Sequence, residues 1–238
     1  MALVEFKLDE HVAQVTLNSG ENRFNPDFLN AFIKTLDTIE NETDASCMVV
    51  TSAHEKIFSN GIDLEWLIPV VHNNDMQAAK DFFYLLNVLF KRTLTAPMLT
   101  FAAISGHAFA GGAIWSCAFD FRFMRSDRGF FCFPEVDLGI PFLPGMLGLL
   151  KKAIPYYKLE EMHHTGCRLT AQDCEAHHII TKAYPQENLV EETMTFARSL
   201  NKKRATLKEM KGRMYKDIVH AFDVEDVSYI ESGQFNVS

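Results

Sequence analysis

No apolar run in the chain approaches the ~18 residues of a membrane-spanning helix, so the sequence offers no candidate span. Positive charge is also scarce. The 238 residues carry 23 Lys and Arg against 31 Asp and Glu, a net charge of −8, which disfavours a chain-wide nucleic-acid surface and leaves room only for a local basic patch. Cysteine is sparse and unpaired in pattern. Residues 47, 117, 132, 167 and 174 make an odd, scattered set of five with no C-x-x-C spacing, which argues against a disulfide framework. Cys47, Cys117 and Cys132 lie in apolar stretches, where a free thiol behaves as a small buried hydrophobe, and a reducing compartment is the simple reading. Met1 to Glu10 alternates apolar and polar residues and lacks the basic-then-apolar layout of a signal peptide. Asn41-Glu42-Thr43 and Asn236-Val237-Ser238 fit the glycosylation pattern, yet without an export signal neither is expected to be used. The expectation is a soluble, cytoplasmic protein with no membrane and no nucleic acid among its partners. Its 47% hydrophobic and 23% charged residues suit one sizeable core.

What is present alternates strands and helices. Val4, Phe6 and Leu8 recur at period two and Val12 to Leu17 continues the pattern, which predicts a strand pair. Asn25-Pro26 is a helix start, and Phe28, Phe32, Leu36 and Ile39 then mark one helical face. Cys47 to Thr51 and Met98 to Ile104 read as strands buried on both sides, with a helix over residues 76–95 between them. Phe121 to Arg125 and Phe130 to Phe133 are further strand candidates. From Pro144 onward the pattern turns helical, over 144–154, 156–164, 171–178, 186–201 and 203–220, with little strand signal. The fold class is therefore α/β, with a helical C-terminal layer.

Two loops stand out. Phe58-Ser59-Asn60-Gly61-Ile62-Asp63-Leu64 follows the first buried strand. Gly106 to Gly112 lies between the second buried strand and an apolar helix, Ala113 to Phe119. A small-residue run that opens a helix exposes unpaired N–H groups at a positive dipole end, which suits an anion or an oxyanion. Alternatively, Gly111 and Gly112 only permit close helix–strand packing. Neither loop matches G-x-G-x-x-G or the Walker pattern, so a dinucleotide or nucleoside-triphosphate site has little support.

Phe58 to Leu64, Ser105 to Gly112 with Asp120 downstream, Phe133-Pro134-Glu135-Val136-Asp137-Leu138-Gly139-Ile140, and Thr165 to Asp173 together resemble the crotonase superfamily of enoyl-CoA hydratases and isomerases. The resemblance spans about residues 3–200. It implies stacked β-β-α units arranged as a spiral, with residues 1–190 as the core holding the site and 191–238 as a helical trimerisation region. It also implies an acyl-CoA thioester as substrate, with coenzyme A part of that substrate and no separate cofactor or metal. The partner would be a second copy of the chain, in a homotrimer or a dimer of trimers. By the same resemblance the oxyanion hole would be the backbone N–H groups of Ile62 and Gly111. Phe58, Ser59, Asn60, Gly61, Asp63, Leu64 and Gly112 would then form the substrate-binding segments around it.

The resemblance also implies which reaction. Hydratases of this superfamily use two glutamates; the first falls at Ile114 here, which cannot move a proton, and the second at Glu135. Apolar neighbours would raise the pKa of Glu135 toward neutrality and tune it for general acid–base work. A single carboxylate fits a Δ3,Δ2-enoyl-CoA isomerase that moves one proton from the α- to the γ-carbon. The alternatives are a hydratase or thioester hydrolase with an unidentified acid, and a non-catalytic acyl-CoA-binding homologue. If Glu135 ends a strand, Asp137 shares its face, as an assistant or as a plain turn carboxylate. The family match gives Asp120 a structural part only.

Other constellations compete less well. His163, His164, Cys167, Cys174, His177 and His178 fall within sixteen residues but match no standard zinc spacing, and adjacent helical histidines diverge by ~100°. His107 beside the oxyanion segment reads as a hydrogen-bonded structural residue. Phe82-Phe83, Phe130-Phe131 and Phe142 read as core, some of them as acyl-pocket lining. Lys202, Lys203, Arg204, Lys208, Lys211, Arg213 and Lys216 form a basic helix, either a solvated face or a source of cations for the CoA phosphates.

Overall fold

In the computed structural model, which describes residues 2–233, the opening period-two pattern forms β1 (Val4–Asp9) and β2 (Val12–Leu17), antiparallel with Val4 opposite Leu17. β3 (Arg23–Phe24) leads into α1 (Pro26–Glu42). Asn25 caps this helix by accepting from the Phe28 amide, and Pro26 fills its first position. Phe28, Phe32, Leu36 and Ile39 are buried, as their spacing predicts. β4 (Cys47–Ser52), β5 (Ile57–Ser59), β6 (Gly61–Ile62), α2 (Leu64–His72) and α3 (Met76–Thr95) follow. Then come β7 (Leu99–Ile104), β8 (His107–Phe109), α4 (Gly111–Ala118), β9 (Phe121–Arg125), β10 (Phe131–Cys132) and α5 (Glu135–Leu138). The C-terminal part holds α6 (Pro144–Ala153), α7 (Tyr156–Thr165), α8 (Ala171–Ala176), β11 (Lys182–Tyr184), α9 (Gln186–Arg198), α10 (Arg204–Met214), α11 (Lys216–His220) and α12 (Asp226–Ser232). A π-helical turn, Ala221–Glu225, joins the last two helices.

Six strands form the main sheet in the order β1-β2-β4-β7-β9-β11, parallel from β2 onward. A small parallel sheet, β10-β8-β5, stands apart from it. β4 and β5, β7 and β8, and β9 and β10 therefore repeat one unit: a long strand, a short strand in the second sheet, then helix. That is the expected spiral of β-β-α units.

The period of two along β4 and β7 divides their side chains between two cores. Met48, Val50, Ala102 and Ile104 join the larger core with α1, α3, α4 and α6. Cys47, Val49, Phe101 and Ala103 face the other way onto Leu189, Met194 and Ala197 of α9. Burial on both faces explains why these strands read as continuous apolar runs. α9 crosses the expected division at residue 190, and both of its halves cover the same sheet face.

Several expectations need correction. β11 is a three-residue edge strand with only one aliphatic residue, too short for a period to show. α2, for which the sequence pattern offers no expectation, contains Pro69, a helix breaker by rule, near its C-terminal end. The strand expected over Phe130–Phe133 is reduced to Phe131–Cys132. The basic helix is not wholly a solvated face. Lys211 is buried, with its ammonium 2.7 Å from the Met98 carbonyl and 2.6 Å from Asp120 Oδ2, and Arg204 donates to the carbonyls of Thr43 and Glu40. Lys202, Lys203, Lys208, Arg213 and Lys216 are exposed. Asp120 also accepts from the amide and hydroxyl of Thr100, so it ties β7 to α10. No helix among the described residues is long and apolar enough to cross a membrane. The Asn236 glycosylation pattern lies outside the described residues.

Candidate active site

The two Gly-containing loops meet at the core end of α4. Phe58 is buried and stacks on Trp115, with ring centroids 6.0 Å apart. The Ser59 hydroxyl donates to the Asn22 carbonyl at 2.7 Å and accepts from the Gly61 amide at 3.1 Å, which fixes the turn. Gly61 has φ +73°, and a Cβ on it would lie 2.5 Å from the Gly111 nitrogen. A Cβ on Gly112 would lie 2.3 Å from the Ser59 carbonyl oxygen. Only glycine permits these approaches. Ala110, before the helix, holds φ 49° and ψ −128°, and its amide donates to the Cys132 carbonyl at 3.0 Å. A non-glycine residue at this φ is strained, and the strain aims the first turn of α4. First-turn amides have no partner within their own helix.

A cavity of about 530 Å³ opens at that turn. Ile62, Gly111 and Glu135 all line it, so residues distant in sequence share one space. Asn60 and Leu64 also line it, whereas Phe58, Ser59, Gly61, Asp63 and Gly112 lie behind the wall and shape it. Asp63 accepts from the Asn25 side chain and sits at the N-cap of α2. Phe83 and Phe142 are lining residues; Phe82, Phe130 and Phe131 are not.

Glu135 is the one carboxylate among the described residues that line the cavity, and Ile114 shares that wall. Glu135 is 7% exposed, and its Oε2 has no hydrogen-bond partner among the described residues. Burial pushes its pKa up from the usual carboxylate range to about 7. It opens the single-turn helix α5 rather than ending a strand. Asp137 therefore points ~200° away from it, toward Gly166, and the shared face expected of a strand does not exist.

Part of the cavity wall was not foreseen. Tyr229 and Ser232 come from α12, which lies along α3. Lys80 and Tyr84 bind Glu231, Asn87 donates to Asp226 at 3.0 Å, and Lys91 pairs with Asp223. Residues 80, 84, 87 and 91 occupy one helical face, and that polar stripe on a largely apolar helix was the available signal. Asp226 also accepts from the Gly145 amide at 2.8 Å, which joins α12 to α6. Arg23, a further lining residue, is held by Glu21 and Glu65, both at 2.8 Å.

The remaining candidates lie elsewhere. The His107 Nδ1 accepts from the Phe130 amide at 3.3 Å, outside the cavity lining. Cys174 is fully buried, His177 bonds the Tyr157 hydroxyl at 2.9 Å, and the His163 and His164 rings meet edge to face.

The enoyl-CoA hydratase/isomerase family model matches residues 7–235. Enoyl-CoA delta isomerase 3 of Arabidopsis thaliana is 32% identical over 191 residues, 77% of this chain and 78% of that protein. A putative enoyl-CoA hydratase of Thermus thermophilus is 28% identical over 201 residues, 82% of this chain and 77% of that one. Among solved structures, human mitochondrial delta3-delta2-enoyl-CoA isomerase shares the fold with a TM-score of 0.87 at 18% identity, over 97% of this chain and 90% of that one.

Proposed function

This chain belongs to the enoyl-CoA hydratase/isomerase family and has the crotonase fold, and from that premise we propose that it converts 3-enoyl-CoA to 2-enoyl-CoA. The ionised Glu135 takes a proton from the α-carbon, and the electron pair delocalises onto the thioester oxygen as a dienolate. The amides of Ile62 and Gly111 hold that oxygen, and one such donor is typically worth ~10²–10³ in rate. Glu135 then returns the proton to the γ-carbon, leaving the double bond between the α- and β-carbons. Atoms balance, and Glu135 ends in its starting state.

The observation that carries this reading is the solitary carboxylate. A pKa near 7 lets Glu135 accept and release a proton at neutral pH, and its Oε2, without a partner among the described residues, is free to do so. Ile114 supplies no second carboxylate for activating water. The test is to incubate the protein separately with a 3-enoyl-CoA and a 2-enoyl-CoA and identify the products by mass and absorbance. Isomer from the first and little 3-hydroxyacyl-CoA from the second is expected, and Glu135→Gln should abolish turnover while acyl-CoA still binds. Near-wild-type rates in that variant would remove Glu135 from the mechanism.

A further inference from the structure

α4 has its N-terminus at the cavity, and its other end is held by two cations, the buried Arg122 and the half-buried Lys152. Lys152 donates from Nζ to the carbonyls of Cys117 and Phe119, at 3.0 and 2.7 Å. Arg122 donates to the carbonyls of Phe119 and Ser116, at 2.7 and 3.4 Å, and to that of Ile179 at 2.8 Å. Neither forms an ion pair with a carboxylate among the described residues; nearby Asp120 is engaged by Lys211 and Thr100. Neutral donors would satisfy the same carbonyls without the cost of burying charge. That two cations stand there calls for a physical reason.

The reason lies in the length and burial of the helix. α4 has eight residues, all buried, and is about 12 Å long. The partial negative charge at its C-terminus is thus only about 12 Å from the partial positive charge at Gly111, and little water intervenes to screen it. Cations on the C-terminal carbonyls cancel that negative end and add positive potential of their own. We propose that Lys152 and Arg122 are positioning residues for the reaction, acting through α4 to raise the potential at the Gly111 amide and to favour the enolate oxygen over the neutral thioester. The proposal rests on the reading of Gly111 as an oxyanion donor. A unit charge at ~12 Å with an effective dielectric of ~20 corresponds to about tenfold in rate.

Lys152 must carry its charge for this to operate. Burial and the neighbouring Arg122 lower its pKa to about 7, while Asp120 and Cys117 oppose that, and Lys211 adds to it. The Tyr215 ring, 5.3 Å from the ammonium, packs on its other side. The effect is therefore fully expressed below neutrality and fades above it.

The experiment compares wild type with Lys152→Met, Lys152→Gln and Lys152→Arg between pH 5.5 and 8.5 (a range of about one and a half units around neutrality). kcat and KM are measured with a 3-enoyl-CoA. The Glu135 midpoint is read by carbon NMR of protein labelled at glutamate carboxyls, with Glu135→Gln to assign the signal; this readout needs no turnover. In the neutral variants kcat should fall about three- to tenfold with KM unchanged, and the Glu135 midpoint should rise by several tenths of a unit. Lys152→Arg should restore both. Lys152→Gln keeps an uncharged amide NH2 to donate to the carbonyls and serves if the methionine variant does not fold. Unchanged kcat and an unchanged Glu135 midpoint, whatever happens to the melting temperature, would reduce Lys152 to a helix cap. Absence of isomerase activity in the wild type would instead sink the functional reading, while the Glu135 midpoint would still decide the charge effect.

Discussion

Gly61 and Gly111 touch backbone to backbone: a Cβ on Gly61 would fall 2.5 Å from the Gly111 nitrogen and 2.9 Å from its Cα. Gly61 precedes Ile62, so this contact sets the spacing between the two amides assigned to the oxyanion. One loop follows β5 and the other follows β8, and these two strands pair in the small sheet. The second sheet thus acts as the ruler for the site.

Gly61→Ala should therefore lower kcat by about 10²-fold or more, because one donor is displaced. Its φ of +73° adds backbone strain. Gly20→Ala is the control: φ is +54°, but nothing lies within 4 Å of the new Cβ. That variant should lose about 1 kcal/mol of stability and keep its kcat. Steady-state kinetics and thermal melts of both variants check the contrast; equal kcat losses would show that strain alone is responsible.

Glu135 sets the pH dependence. The base must be ionised, so kcat/KM should fall with unit slope as pH drops through about 7. Its folded pKa lies above the unfolded value of 4.5, so the folded state holds the extra proton between those limits. The corresponding stability is present below pH 4.5 and lost as pH rises through about 7. Relative to Glu135→Gln, the wild type should lose about 3 kcal/mol across that window. Denaturant midpoints across the window read this directly, and parallel curves for the two proteins would refute it.

Ile114→Glu should convert part of the activity. A second carboxylate on the same wall gives water a site, and its charge should push the Glu135 pKa higher still. Slow hydration of 2-enoyl-CoA in the wild type and measurably faster hydration in the variant are expected, with 3-hydroxyacyl-CoA as the product to quantify. A wild type that hydrates as fast as it isomerises would show another group activating water.

The cations of α10 should separate into two classes. Lys211→Met removes the ammonium from the largely buried Asp120 carboxylate, which keeps only its Thr100 donors, and should cost about 3–5 kcal/mol. Neutralising Lys202, Lys203, Lys208 and Lys216 together should leave stability within about 0.5 kcal/mol per residue. If these exposed lysines hold the CoA phosphates, KM for acyl-CoA rises in the multiple variant and loses its salt dependence, while kcat stays unchanged. An unchanged KM and salt response would mark them as a solvated face. Sedimentation of the wild type as a trimer or a multiple of one is the expected assembly, and a clean monomer at micromolar concentration would overturn it.

Local interactions made much of this molecule readable from its sequence. The Asn25 cap with Pro26, the four-residue rhythm of Phe28 and Phe32, and the alternation along β1 and β2 each depend on neighbours within a few residues, so the pattern carries the structure. Gly61 and Gly111 stood out in the sequence as glycines in two loops, but their contact with each other across 50 residues was visible only in the fold. The two apolar runs at β4 and β7 announced strands covered on both sides, although nothing in them said that α9 supplies the second cover.

Long-range contacts decided the rest. Whether Lys211 points into solvent or onto Asp120, 91 residues away, depends on how α10 is seated against Met98, just before β7, which no local pattern encodes. α12 became a wall of the cavity through side chains on α3 some 130 to 150 residues earlier in the chain. Asp137 parted from Glu135 because packing turned four residues into a helical turn where sequence allowed a strand. Sequence alone determined which residues could do chemistry, since chemistry follows side-chain type. Tertiary structure alone decided that Glu135 is buried, with no hydrogen-bond partner for Oε2 and no second lining carboxylate among the described residues, because burial and charge environment are properties of the assembled walls rather than of any one segment.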